Sequence, residues 1–423
     1  MLEILNLGFS ARFRLKFILV IAFLEFVPPS LKGKGDRGKG SIPRKLPKYE
    51  SRASRKFPLH FPRKAVILIG VTPAKNTVYR EVVKNMKLLS VATPCYNSQA
   101  YMEHCIETLL TGGDDVEILI VDDGSKDDTA AIADRLAAEH PDIIRAIHQE
   151  NKGHGGAVTT GLRNATGLYF KVVDSDDWVD PDALRVILDR LREFAKTEKP
   201  VDLLISNYIY DKADVGQRRA IRYAHALPEN RVLTWNDVGR FRKWENLLMH
   251  SMIYRTEVLR RSSLQLPEHT FYVDNLYCSV PLAKVKTLYY INVDLYHYYI
   301  GREGQSVQEQ TMIKRIDQQI LVNKLMMEQV DLEHIRNHKQ RKTILKYHDM
   351  ITAVTTALLI VAGTPEHLEK KRELWRYIRK HHPWEYRRLR YGMFGVFLNL
   401  PGPAGRKLDV SVYRLANKIF HFN

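Results

Sequence analysis

The sequence predicts an α/β fold: a mostly parallel sheet with helices on both faces, followed by a helical C-terminal region. Three observations carry this expectation. Short apolar runs alternate with helix-type stretches from residue 88 to about 196, the pattern of successive βα units. The strand-type runs end in polar or acidic residues: Thr93-Pro94, Asp122-Asp123 and Asp174-Ser175-Asp176-Asp177. From about Gln308 to the end the pattern turns helical and basic, with helical apolar spacing through Ile313–Met327 and Met350–Val361.

In chain order, Leu88–Thr93 is a strand and Ala100–Leu110 an amphipathic helix. Glu117–Val121 is the second strand, and a helix from about Asp127 to Glu139 follows, with Ser125 and Asp127 as capping side chains. Ile143–His148 is a strand, and after a Gly-rich turn Gly155–Asn164 is a helix. Leu168–Val173 is the fourth strand; Pro181 then opens a helix to about Lys196, Asp-Pro being a common helix entry. Asp202–Tyr210 reads as one further strand and Phe271–Val285 as a helix. Two aromatic-rich segments, Leu288–Ile291 and Leu295–Ile300, are split by Asn292-Val293-Asp294 and predict a hairpin. Ligands of parallel α/β sheets bind at the carboxyl ends of the strands, where the three polar strand ends fall. A solvated acidic turn at Asp174–Asp177 would not predict that convergence.

The net charge of +17 is uneven: residues 1–64 hold fifteen Lys/Arg against four Asp/Glu. That extension is expected to be disordered, and no nucleic-acid partner is expected. Its apolar stretch Phe17–Leu24 is too short to span a bilayer and lacks a small-residue cleavage site. Three cysteines without metal-site spacing, Cys95, Cys105 and Cys278, favour a reducing compartment. The expected location is cytoplasmic, with peripheral contact at the inner face of the plasma membrane through apolar C-terminal patches such as Met393–Leu398 and Val410–Phe420.

Residues 88–178 resemble the nucleotide-binding half of an inverting family 2 glycosyltransferase of the GT-A fold. The resemblance is carried by Val91-Ala92-Thr93-Pro94-Cys95-Tyr96-Asn97, Ile120–Asp127, Asn151-Lys152-Gly153 and Val173-Asp174-Ser175-Asp176-Asp177 in that order. The resemblance continues less strongly through about residue 310 and does not cover the tail or the C-terminal helices; with the charge and helical patterning it divides the chain into a basic extension over 1–64, a catalytic domain over 65–307 and a helical region over 308–423. Within the domain, 88–200 would be the nucleotide-binding half and 201–307 the acceptor half. By the same resemblance, Thr93, Pro94, Tyr96 and Asn97 form a base pocket and Asp123 contacts the nucleoside. Lys152 and Gly153 belong to a loop that approaches the donor. The family often has Ala-Arg-Asn after this loop; here the chain reads Ala157-Val158-Thr159, and Arg163 lies one turn further. His154 is either a local structural residue or a ligand.

Asp174-Ser175-Asp176 resembles the family's D-x-D motif, which assigns Asp176 to a metal, Mn²⁺ or Mg²⁺, and Asp174 to ribose or metal-bound water. Hard oxygen donors at this spacing suit those cations. Asp177 is expected to be structural. Thr270–Tyr277 resembles the family's Glu-Asp segment with Val273 in place of Glu, which makes Asp274 the catalytic base and leaves His250 and His269 as alternatives. Arg302, in the loop after the aromatic segments, would reach a donor phosphate or cap a surface turn. The implied partners are a nucleoside-diphosphate sugar, UDP-linked, and a saccharide or lipid-linked saccharide acceptor. A sugar-phosphate nucleotidyltransferase would need a Gly-rich, Arg-containing loop after the first strand, which Thr93-Pro94-Cys95-Tyr96 is not. An inactive scaffold would lack Asp176 or Asp274, and both are present.

Overall fold

The computed structural model describes residues 87–212, 217–242, 245–300 and 309–402, with the isolated positions 405–406 and 410–411. The extension over 1–64, the expected start of order near Ala65, the loop bearing Arg302 and most of Val410–Phe420 lie outside the described residues.

β1 (Leu89–Cys95) and β2 (Val116–Asp122) are buried at every position, as parallel strands covered on both faces must be. α1 (Met102–Leu110) joins β1 to β2, and α2 (Thr129–Glu139) joins β2 to β3 (Ile144–His148). α3 (Gly153–Asn164) then carries the chain back to β4 (Tyr169–Val172), which pairs with the other side of β1. The order β3-β2-β1-β4 thus runs outward twice and then reverses across β1. Right-handed crossovers put α1 and α2 on one face and α3 on the other. The carboxyl ends of β1 and β4 are therefore the switch point of the sheet, where ligands bind. Pro94 sits there without losing a ladder bond. Pairing with β4 stops at Ala92, whose carbonyl accepts from Val173 N–H at 3.0 Å, and by alternation Pro94 faces that vacated side.

The sheet continues through β5 (Trp178–Val179), β6 (Leu203–Lys212), β7 (Gln217–Ile221), β8 (Val232–Thr234), β9 (Met252–Arg255) and β10 (Thr287–Tyr299), in the order β4-β9-β6-β10-β5. α4 (Pro181–Ala195) is capped by Asp180, which accepts from Ala183 N–H at 2.8 Å. β9 runs antiparallel to β4 and β6, and β10 parallel to β6, so β10 ends at the same edge as β4. The first four strands are parallel as expected; the second half is mixed.

Two expectations are corrected in that second half. The hairpin is one thirteen-residue strand, β10, with a bulge at Asn292-Val293-Asp294. These polar residues are held sideways rather than turned back: Asn207 Nδ2 donates to Asn292 Oδ1 (2.8 Å) and Asp294 Oδ1 (2.9 Å). The helix expected over Phe271–Val285 is only α6 (Asp274–Ser279), followed by a short 3₁₀ turn, Pro281–Ala283. Tyr272 has φ +68°, which no right-handed helix accepts, and Pro281 brings no N–H for the far end.

α5 (Thr256–Arg261) precedes that segment, and the C-terminal region forms α7 (Glu309–Lys314), α8 (Ile316–Gln329), α9 (His338–Ala362), α10 (Pro365–His381), α11 (Pro383–Arg390) and α12 (Met393–Phe397). α9 is long and apolar enough to cross a membrane by length and composition, yet most of its apolar window is buried against the protein. Its N-cap is Asn337, and Gly363 ends it at φ +66°. Gln340 at its start donates to the carbonyls of Leu282 (2.8 Å) and Val285 (3.1 Å), and Tyr347 to that of Leu247 (2.5 Å). These bonds dock the helical region onto residues 247–285. Phe394 and Phe397 of α12 are buried as well.

Candidate active site

The loop between β4 and β5 carries the acidic cluster, and its shape is over-determined. Asp177 N–H donates to the Asp174 carbonyl at 3.0 Å, closing a turn. The Asp177 carboxylate is buried, accepting from Tyr296 hydroxyl (2.5 Å) and Tyr299 N–H (2.8 Å) at the end of β10. Ser175 hydrogen-bonds Ser98 at 2.8 Å, and Trp178 stacks on His297 at 5.2 Å between ring centres. Burial, with Asp176 and Asp174 adding repulsion, pushes the Asp177 carboxyl well above the carboxylate range. Asp177 is thus an anchor, and Asp174 and Asp176 stay partly exposed at the crevice.

Beneath the cluster Lys171 is buried in β4, with its ammonium donating to the His250 carbonyl at 2.6 Å and lying 4.9 Å over the Tyr296 ring. Burial draws it down to about 7 against the pull of Asp174. His250 is buried too, stacked on Tyr298 at 4.5 Å and drawn down to about 4 by burial.

Asp123 is buried at the end of β2 and grips the next loop: it accepts from Gln149 Nε2 (2.6 Å), Lys152 N–H (2.8 Å) and Gly153 N–H (2.7 Å). Most of its acceptor capacity therefore shapes the loop at the start of α3. Gly153 has φ +72°, and a Cβ there would stand 3.1 Å from the His269 backbone, so glycine is required. Lys152 Nζ lies 3.7 Å from Glu268. Across the crevice Thr93 is buried, with its hydroxyl unpartnered among the described residues. Tyr96 is half exposed, and Asn97, at φ +51°, accepts from Lys126 N–H at 2.8 Å.

Asp274 opens α6 facing this cluster, half-buried. Burial raises its pKa, with Asp174 adding and His154 opposing. The structure thereby brings Asp174, Asp176 and Asp274 to one crevice. His154, which carried no assigned role, stands between them: its Nε2 is 2.9 Å from Asp174 Oδ1. Its only sequence signal was its place at the head of a helix beside a glycine-rich loop. Arg163 is in the last turn of α3, about 15 Å along the axis from the crevice at 1.5 Å per residue, and cannot stand in for the missing arginine. His269 is exposed in the loop before α6.

The donor chemistry fits a hard divalent cation. Asp176 and Asp174 stand partly exposed at the crevice, and their charge adds to the burial that raises Asp177 and Cys105. Among the described residues no three His, Cys, Asp or Glu side chains form an enclosing group. The protein would thus offer one or two oxygens and leave the rest to phosphate and water, as Mg²⁺-type sites do.

Residues 90–257 match the family described as Glycosyl transferase family 2. The chain carries a family 2 glycosyltransferase domain. Similar proteins include chondroitin synthase of Escherichia coli, 39% identical over 120 residues, which are 28% of this chain and 17% of that protein. The glycosyltransferase EpsH of Bacillus subtilis is 29% identical over 220 residues, 50% of this chain and 60% of the relative. The chain thus spans less than two thirds of each of these relatives. Residues 1–349 of Staphylococcus aureus TarS share the fold of this chain, with a TM-score of 0.55 at 16% identity over 79% of this chain and 91% of that one. The GT-A fold is common ground; Asp274 lies beyond the residues that match the family.

Proposed function

We propose that the protein transfers a sugar from a nucleoside-diphosphate donor, UDP-linked, to an acceptor hydroxyl with inversion, building a surface polysaccharide or glycolipid. The observation that carries this is the convergence of Asp174, Asp176 and Asp274 at the switch point of a family 2 domain. The relatives support the substrate class. Chondroitin synthase and the hyaluronan synthase of Pasteurella multocida, 31% identical over 115 residues, are polysaccharide synthases by name. TarS has been solved with UDP-GlcNAc, although its 16% identity supports the fold more than the donor.

Asp274 acts as the base. Its raised pKa makes it a stronger proton acceptor than a free carboxylate, and it takes the acceptor's hydroxyl proton as that oxygen attacks the anomeric carbon. The bond from that carbon to the diphosphate oxygen breaks on the opposite face, its electrons leave with the nucleoside diphosphate, and the configuration inverts. Asp176 would hold Mn²⁺ or Mg²⁺, with Asp174 turned to the ribose. When bound, the cation neutralises charge on the departing diphosphate. Thr93, Pro94, Tyr96 and Asn97 line the nucleoside end, and Asp123 shapes the loop carrying Lys152 and Gly153. Arg302 is assigned to a phosphate in the same reading. Exposed Arg387, Arg388 and Tyr391 on and just after α11 support an acceptor at an anionic membrane surface.

A thermal-shift screen of nucleotide sugars with Mn²⁺ tests this. A rise in midpoint selective for one nucleotide sugar is expected; no stabilisation by any of them would contradict the reading.

A further inference from the structure

His154 lies where the two halves of the site meet. On one side its Nε2 holds Asp174 Oδ1 at 2.9 Å. On the other its charge interacts with Asp274, and more weakly with Asp176. The backbone beneath it is clamped from both halves. Asp123 takes the N–H groups of Lys152 and Gly153, while His269 N–H donates to the Lys152 carbonyl at 2.8 Å. A Cβ on Gly155 would stand 2.8 Å from the Pro267 carbonyl, so the helix start and the 267–269 loop are in close contact. That loop leads through Tyr272 into Asp274. We propose that His154 is a positioning residue: its Nε2 holds the Asp174 carboxylate in the donor crevice, and the clamped start of α3 ties that contact to the 267–269 loop that leads into Asp274.

This role rests on the glycosyltransferase reading and goes beyond it, because neither the D-x-D motif nor the base segment includes His154. The position where the resembled family often carries an arginine holds Val158, which is buried. Lys152 is drawn toward Glu268, and Lys171 is turned beneath the cluster to the His250 carbonyl. The charged groups around His154 are Asp174 and Asp176 from the β4–β5 loop and Asp274 from α6, with the Lys152–Glu268 pair at the rim. Burial draws the imidazole down, but Asp174, Asp274 and Asp176 outweigh it, and in return the imidazole lowers Asp274.

The test compares His154→Ala and His154→Gln in the full chain, the glutamine amide being able to donate to Asp174 without carrying charge. Affinity for UDP with Mn²⁺ is measured by calorimetry, and kcat and KM for the donor by steady-state kinetics. His154→Ala is expected to weaken UDP binding about tenfold, the loss of one hydrogen bond to a charged group. His154→Gln should recover that affinity. His154→Ala should also raise the donor KM, and His154→Gln should bring it back, because the amide keeps the hydrogen bond to Asp174. Unchanged UDP affinity in His154→Ala, or failure of His154→Gln to restore the affinity that alanine loses, would overturn this role. The parent protein is measured alongside: absence of UDP binding there would count against the glycosyltransferase reading and not against His154.

Discussion

The acids at the strand ends and the segment that leads into Asp274 are held by different parts of the chain. Asp123 and Asp177 are fixed by Gln149, the 152–153 backbone, Tyr296 and Tyr299, which belong to the strands and loops of the sheet. The segment that leads into Asp274 is instead held by the C-terminal helices. Phe271 N–H donates to Gln318 Oε1 at 2.9 Å, and the Arg315 guanidinium lies 3.5 Å over the Phe271 ring. Tyr272, at its left-handed φ, packs against Met312, Ile316, Leu358 and Leu359. The helical region thus buttresses the segment that carries Asp274, and on the proposed role of Asp274 donor binding should be separable from transfer.

The largest separation is expected from Asp274→Asn, which should leave UDP-sugar affinity intact and lower transfer by about 10²–10⁴-fold, the span of a positioned base. Steady-state kinetics beside calorimetry distinguishes this from a general defect; surviving turnover would hand the role to His250 or His269. In the parent, transfer should rise with pH through a value above the ordinary carboxylate range, since burial raises Asp274. The same shift has a cost in stability. A carboxyl that binds its proton more tightly when folded contributes stability below its unfolded pKa, lost as pH rises through the folded value.

Next is Leu359→Ala, which empties a fully buried position against α7 and α8. It should cost about 2–5 kcal/mol in thermal or denaturant unfolding and lower kcat while donor affinity below the transition is retained. Equal loss of both would mean the buttress serves the whole site. The smallest effect belongs to Gly153→Ala, where a left-handed alanine costs about 1–2 kcal/mol and presses the His269 backbone. Donor KM should rise more than kcat falls.

The same contrast explains what was legible in the sequence. The donor half is built from local units, so strand ends at Thr93, Asp123 and Asp174 could be placed on one edge from alternation alone. Even there, the gripping role of Asp123 was not visible, because it depends on Gln149 and on backbone N–H groups 29 and 30 residues away. In the acceptor half the decisive features are non-local. A left-handed Tyr272 is stabilised by side chains far along the chain, and Asn292-Val293-Asp294 has turn chemistry that Asn207 converts into a bulge. His154 was readable as a residue but not as a bridge, since Asp174 and Asp274 reach it only through the fold.

The most direct test of the central claim is a calorimetric titration of a UDP-sugar with Mn²⁺ into the parent, Asp176→Ala and Asp274→Asn proteins. The account predicts Mn²⁺-dependent binding to the parent, loss of that dependence in Asp176→Ala, and binding close to parental in Asp274→Asn. Undiminished Mn²⁺-dependent binding to Asp176→Ala would contradict it.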